Sequence, residues 1–437
     1  MNSKELTGFT QLNIEKLSVR AGRARHTNVY ISTEVTRSLR HSAVSRYTVD
    51  SRMRFSVDAH AIGCHLTGNE VYVRNLLHQF GRLDKHSEFF AYLSTPMAEL
   101  EVPARFLHSR ISENPFKRLG MDLPQCLRRD RPDLLHVQYT GPIHCRVPMV
   151  VSVHDVSYLE YPRYFTRFRA NQLRLTVKHT IQRAARVLTP SEFSRTAILR
   201  NYAIDESKVV VIPNAAAPMF RPIDRKMAAT AIERKYGIRG GMVLMVGDLQ
   251  PRKNHLGVLR AFEEVLRTSP QVPHQLVFIG KETWYSKELH RAVKASAIAS
   301  RVHFTGFISD EDLVLFYGAS DLLAFPSFYE GFGLPILEAM ACARAVVCSN
   351  VTAVPEVADG AAILFDPHSC SETARAIRDV LLDAELRTRL ERLGTQRAAQ
   401  FSWEESARRT LDVYYDVVGI VPDQVEHQAA MKASAAR

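Results

Sequence analysis

Apolar residues in this chain fall into short runs bounded by polar turns, and from residue 53 onward these runs alternate with stretches of helical period. Met53-Arg-Phe-Ser-Val-Asp58 predicts an opening strand, followed by a loop with Gly63 and Gly68 and an amphipathic helix through Val71, Leu76, Leu77 and Phe80. Further strands are predicted at 134–137, 149–153, 187–189 and 209–212, then at 243–246, 275–279, 302–305, 322–325, 345–348 and 362–365. Strands alternating with helices argue for parallel sheets, because parallel neighbours need a crossover connection that a helix supplies. The expected fold class is α/β, with two doubly wound Rossmann-like domains over residues 53–222 and 223–400, joined near Pro218 to Lys226. Residues 401–420, with Trp403, Leu411, Tyr414 and Tyr415, read as a last amphipathic helix, and 421–437 as a frayed tail. Residues 1–52 lack a sustained apolar period and read as a weakly structured basic extension, with Met53 as an alternative start.

At 437 residues the chain exceeds what one ordinary core organises. No apolar run approaches the roughly 18 residues of a spanning helix. No signal peptide is evident, and a cytoplasmic location is expected. The six cysteines form no C-x-x-C pair, which speaks against a zinc site or a disulfide framework. The net charge of +11 is concentrated in the front half: residues 1–52 contribute +5, residues 53–226 contribute +9 and the remainder −3. A basic lobe fits peripheral contact with an anionic membrane at its inner face, a phosphorylated acceptor, nucleic acid, or a solvated surface with no partner. A nucleic-acid-binding protein has only charge in its favour, since no basic stretch is interleaved with aromatics as in a recognition module, and no nucleic acid partner is expected.

Candidate chemistry concentrates between Pro326 and Met340. The strand at Leu322–Phe325 ends in a polar loop, and a helix is expected to start at Pro335. Gly331 and Gly333 then stand at the mouth of that helix, where backbone N–H groups can approach an anionic or oxygen-rich ligand. Glu330, at the strand end, is placed to accept from sugar hydroxyls, and Glu338, expected in the first helical turn, points back to the same crevice.

Ligands of doubly wound sheets bind beyond the carboxyl ends of strands, which singles out further clusters. After Val246 comes Gly247-Asp-Leu-Gln-Pro-Arg252-Lys253-Asn254, with Asn254 as a cap for the helix at His255. Arg252 and Lys253 are placed to clamp a diphosphate and to neutralise it on departure without a divalent metal. His154-Asp155 follows another strand and offers a bond to a sugar hydroxyl. The loop from Gly63 to Glu70, including Gly68 and Asn69, is a candidate contact for acceptor or phosphates, but it is not a G-x-G-x-x-G fingerprint. Asp310-Glu311-Asp312 looks like a D-x-D metal motif, yet Ser309 and Asp310 read better as a helix cap and first turn, so no metal is expected.

Together these strings resemble the retaining glycosyltransferases of family 4, the glycosyl transferases group 1, over about residues 53–418. Glu330-Gly-Phe-Gly-Leu-Pro-Ile-Leu-Glu338 matches the family's E-x7-E motif, supported by Gly247 with Arg252-Lys253-Asn254, Pro190-Ser-Glu-Phe-Ser194, Ile212-Pro-Asn214, Gly306-Phe-Ile308 and Val354-Pro-Glu-Val357. The resemblance implies the GT-B fold, two domains facing a central cleft, with the last helix crossing back to the first. It further implies that Glu330 contacts the donor sugar, Glu338 the ribose, and Arg252 and Lys253 the diphosphate. The backbone of Phe332, Gly333 and Leu334 would bond sugar and phosphate, that of Phe307 and Ile308 would read the base, and His154 would lie beside the sugar. The first domain would bind the acceptor, a glycan or lipid-linked hydroxyl, and the second a nucleotide diphosphate sugar as co-substrate, with no cofactor. The front loop, Gly63-Cys-His-Leu-Thr-Gly-Asn-Glu70, departs from the family's glycine run. Its regions at Thr67–Leu77 and Val153–Tyr158 resemble bacterial mannosyltransferases of polysaccharide assembly, making GDP-mannose the leading donor, with UDP-sugars as the alternative. A GT-B phosphorylase or epimerase is a further competitor.

Overall fold

The computed structural model describes residues 52–64 and 67–420; the predicted extension and the tail fall, but for Arg52, outside the described residues. Seven parallel strands form the first sheet: β1 (Arg54–Asp58), β2 (Glu88–Leu93), β3 (Leu107–Arg110), β4 (Leu134–Gln138), β5 (Met149–Ser152), β6 (Arg186–Thr189) and β7 (Val209–Val211), in the order β3-β2-β1-β4-β5-β6-β7. Six form the second: β8 (Met242–Val246), β9 (Gln275–Ile279), β10 (Val302–Gly306), β11 (Leu322–Phe325), β12 (Ala345–Ser349) and β13 (Ile363–Phe365), in the order β10-β9-β8-β11-β12-β13. The expected two doubly wound sheets are present. Their central strands read as unbroken apolar runs because both faces are covered, as in Met242-Val-Leu-Met-Val246, where every residue is buried.

Strand order reverses between β1 and β4 and again between β8 and β11, and these crevices are where such sheets bind ligands. Apolar cores lie on both faces of each sheet. Helix Trp403–Val417 belongs to the first domain's core: Trp403, Leu411, Tyr414 and Tyr415 pack with Phe55, Phe80 and Phe89. Two buried polar chains fasten it there. Tyr414 Oη lies 2.5 Å from His136 Nδ1, whose Nε2 lies 2.7 Å from Ser152 Oγ. Tyr415 Oη donates to Asp84 Oδ2 at 2.7 Å.

Two strands, β2 and β3, were not anticipated. The β3 stretch, Leu-His-Ser-Arg, is an edge strand with largely exposed side chains, so its sequence has no apolar alternation to betray it. The helix after the front loop runs Thr67–Leu83. Gly68 and Asn69 therefore sit in its first turn and not in a loop, which corrects their expected placement. Val73, Leu76, Leu77 and Phe80 share the buried side of the helix, while Val71 is only partly buried at its edge.

Candidate active site

The lysine loop beyond β8 is tied to the loop beyond β11 by Asn254. Its left-handed backbone, φ 62°, ends the turn Pro251–Lys253 and opens helix His255–Thr268. As expected, it caps that helix, accepting from Gly257 N at 3.2 Å, while its amide donates to the carbonyls of Pro326 and Pro367 at 3.3 and 2.9 Å. Arg252 adds two more ties: its carbonyl accepts from Phe328 N at 2.8 Å and its Nη1 donates to Tyr329 O at 3.1 Å. Gly247, at φ 145°, keeps the space clear, since a Cβ there would come within 3.2 Å of Lys253 Cε.

Glu330 is buried where these loops meet. Its Oε1 accepts from Lys253 Nζ at 2.6 Å, and its Oε2 pairs with Arg252 Nη1 at 3.2 Å. Burial alone would raise its pKa, but the two cations outweigh it and hold the carboxyl below its ordinary range. Burial, opposed by Glu330 and reinforced by Arg252, lowers Lys253 below the usual ammonium range. One carboxylate thus holds two cations side by side at the helix mouth, Lys253 buried and Arg252 half-buried.

Gly331 and Gly333 follow. Gly333, at φ 108°, provides the entry to helix Leu334–Ala341, which begins one residue before the predicted Pro335 and has no side-chain cap. Gly331 is one point where the domains touch. Its carbonyl accepts from Ser191 Oγ at 2.7 Å and lies 3.1 Å from Ser194 Oγ, and both serines belong to the first domain. A Cβ on Gly331 would penetrate the carbonyl oxygen of His154 and stand 2.8 Å from Asp155 Cβ. Phe332 is buried and meets Phe401 edge-on, with ring centroids 6.0 Å apart. Leu334 packs against the cores of both domains.

Glu338 is the fifth residue of its helix and opens the second turn, one residue further in than a start at Pro335 gives. Its Oε2 accepts from Tyr317 Oη at 3.1 Å. Burial pushes its pKa up to about 8, partly opposed by the Tyr317 bond, so at neutral pH the group is mostly a neutral acid.

His154 stands beyond the end of β5, its Nε2 3.0 Å from Gln138 Oε1 and its ring edge-on to Tyr72 at 4.5 Å. Burial lowers its pKa to about 4, so it acts as a neutral donor or acceptor. Where base reading is expected, Phe307 is half exposed and Ile308 packs against the second core. In the front loop, Gly63 N donates to Glu70 Oε1 at 3.0 Å. Asp58, fully buried at the end of β1, lies 2.9 Å from His60 Nδ1 and 3.5 Å from Arg118 Nε. Neither Asp58 nor Arg118 was singled out from the sequence.

Comparison with known proteins gives this geometry its context. Residues 66–218 match Glycosyltransferase Family 4, and residues 230–397 match Glycosyl transferases group 1. The chain is 32% identical over 265 residues to O-antigen chain mannosyltransferase B of Escherichia coli, covering 61% of this chain and 69% of that protein. The chain is a family 4 glycosyltransferase. A D-inositol 3-phosphate glycosyltransferase of Streptomyces bingchenggensis is 25% identical over 80% of this glycosyltransferase and 85% of its own length. The serotype-specific mannosyltransferase WbdA of Escherichia coli is 28% identical, but this chain spans only 29% of its length. Among solved structures, sucrose-phosphate synthase from Thermosynechococcus elongatus has a TM-score of 0.67 at 19% identity, covering 84% of this chain and 99% of that one. HepE of Anabaena, solved with UDP and glucose, also has 0.67 at 19% identity, covering 84% and 100%. At that identity they establish the fold, GT-B.

The acidic triplet of this glycosyltransferase is occupied by structure. Ser309 Oγ caps its helix by accepting from Asp312 N at 3.3 Å, Asp310 pairs with Arg74 at 2.5 Å, and Asp312 binds Lys235 and Tyr236. Among the described residues no three His, Cys, Asp or Glu side chains converge as metal ligands. Sequence reasoning missed Tyr317 as the partner of Glu338. Ser191 and Ser194 stand in the sequence only within the matching string Pro190–Ser194, although Thr189-Pro190-Ser191 marks a strand end followed by a helix cap.

Proposed function

We propose that this enzyme transfers mannose from GDP-mannose, with retention of anomeric configuration, to a hydroxyl of a glycan or lipid-linked acceptor in polysaccharide assembly. The observation that carries the reading is the pair of adjacent cations, half-buried Arg252 and buried Lys253, held by Glu330 beside the mouth of helix Leu334–Ala341. A diphosphate leaving group needs charge neutralisation as its bond to the anomeric carbon breaks. Two prepositioned cations and uncapped helix N–H groups supply it without reorganisation, and without calling on a metal. When the diphosphate arrives, the cations gain a second anionic partner, leaving Glu330 free to accept from hydroxyls of the sugar.

Glu338 takes the ribose hydroxyls, and the backbone at Phe307 and Ile308 takes the base. Neutral His154, across the Gly331 contact, bonds a sugar hydroxyl while the sugar passes through an oxocarbenium-like state. The mannose assignment is supported by the mannosyltransferase relatives. A cytoplasmic location, with the basic first domain against an anionic membrane, suits a lipid-linked acceptor; no helix among the described residues is long and apolar enough to cross a membrane.

The test is thermal stabilisation by GDP-, UDP-, ADP- and CDP-sugars with EDTA present, followed by NMR of the product's anomeric proton. Stabilisation by GDP-mannose and an α-linked product are expected. Stabilisation by UDP-sugars alone would replace the donor, a requirement for added metal would remove the metal-free mechanism, and an inverted product would remove the retaining one.

A further inference from the structure

Helix Arg167–Arg183 of the first domain carries a face that sugar transfer leaves unused. Ala170, Val177, Thr180 and Ile181 turn inward and are buried. Outward, Phe168 and Leu175 are 72% and 69% exposed, and their spacing of seven residues puts them on one side of the helix, two turns apart. Arg167, Arg169, Arg174 and Lys178 are exposed around them. From Glu160 to Glu192 the intervening chain holds seven Arg or Lys and no acid. Among the described residues no carboxylate pairs with Arg167, Arg174, Lys178 or Arg183.

Neighbouring segments extend this surface. Ile143, 61% exposed, lies alongside, its carbonyl 3.2 Å from His179 Nε2. Arg169 feels the charge of Arg118, whose turn exposes Phe116, Lys117 and Met121. The acids of that turn are Glu113, exposed, and Asp122, which accepts from Ser112 N at 2.7 Å. The face also adjoins the active site: Tyr161 and Tyr164, just before the helix, pack against Tyr329 and Phe328, at 5.3 and 6.3 Å, on the loop that carries Glu330.

Exposed apolar side chains ringed by unpaired cations fit the boundary between headgroups and acyl chains, where each kind of group meets its own partner. A second copy would bring the same positive face against itself. We propose that this face docks the enzyme on a membrane containing anionic lipid, with Arg167, Arg174 and Lys178 at the headgroups and Phe168 and Leu175 entering the interface. This names the surface behind the membrane contact in the reading above, and does not depend on the donor's identity.

The experiment is sedimentation of the full chain with vesicles of phosphatidylcholine alone or mixed with phosphatidylglycerol, at low and high salt. The wild type is expected to bind only the mixed vesicles and to be released by salt. Arg174→Glu/Lys178→Glu should weaken binding by at least about tenfold, given roughly fivefold per basic group at such a surface. Phe168→Ser/Leu175→Ser should also weaken it, with melting temperature unchanged. Equal binding to neutral vesicles, no binding to either, or variants that bind like the wild type would overturn the proposal. So would a stable dimer that Phe168→Ser/Leu175→Ser dissolves. GDP-mannose binding, measured on the same samples without vesicles, separates failure of this surface from failure of the donor assignment.

Discussion

With Glu338 as the proposed ribose partner, its neutral acid should make donor binding pH-dependent. In the free protein its pKa is about 8, raised by burial, opposed by the bond from Tyr317 and raised further by the charge of Asp310. Ribose hydroxyls donating to the carboxylate favour its charged form, so the pKa falls on binding and a proton is released. If the complex titrates below pH 6, affinity scales with the ionised fraction of the free protein, which rises about fifty-fold between pH 6 and 8, or about tenfold if the free pKa is nearer 7. At pH 7 about 0.9 proton should leave per donor bound. GDP-mannose is the ligand of choice because its diphosphate does not titrate in this range. Calorimetry in buffers of different ionisation enthalpy measures both the affinity and the proton count. Glu338→Gln should bind weakly at every pH and release no proton. The same pKa fixes a stability slope: the folded value lies above the unfolded 4.5, so the folded state holds the extra proton between those values, and stability should fall as pH rises from about 4.5 to 8. Flat affinity from pH 6 to 8, with no proton released by the wild type, would refute the reasoning.

Arg252→Ala and Lys253→Ala should each lower turnover by on the order of 10² to 10³, read in steady-state assays, because each removes one of two charges prepositioned for the leaving group. Gly331→Ala should cost about 10² in turnover with little change in melting temperature, since the clash with the His154 carbonyl is relieved by the domains moving apart, an opening that small-angle scattering detects. Wild-type turnover in that variant would mean the contact has no part in assembling the site. Tyr414→Phe should destabilise by about 1 to 3 kcal/mol in urea titrations, because it removes the hydroxyl beside buried His136 Nδ1.

Much of the second domain was legible in the sequence. The strands at 275–279 and 322–325 agree with the structure residue for residue, because strands covered on both faces announce themselves as apolar runs ended by polar turns. Caps were equally readable, as at Asn254 and Ser309, because a cap is a contact over three residues. Strand β3 was not readable: its four residues become a strand only by pairing with β2. Helix starts were read late, by one residue at Pro335 and by about a turn after Gly68, because end residues are fixed by backbone bonds that side-chain pattern does not record.

By itself the sequence determined the alternation of elements, the glycine mouth between β11 and its helix, and the identity of Glu330, Glu338, Arg252 and Lys253 as the charged groups near it. These follow from short-range steric and hydrogen-bonding rules acting within a few residues of each other. Only the tertiary structure decided that Glu330 is held ionised by two cations while Glu338 is held mostly neutral, and that Ser191, Ser194 and His154 of the first domain close on Gly331. Charge state depends on the water removed and the partners supplied, and here the partners Tyr317 and Lys253 come from chain segments 21 and 77 residues away.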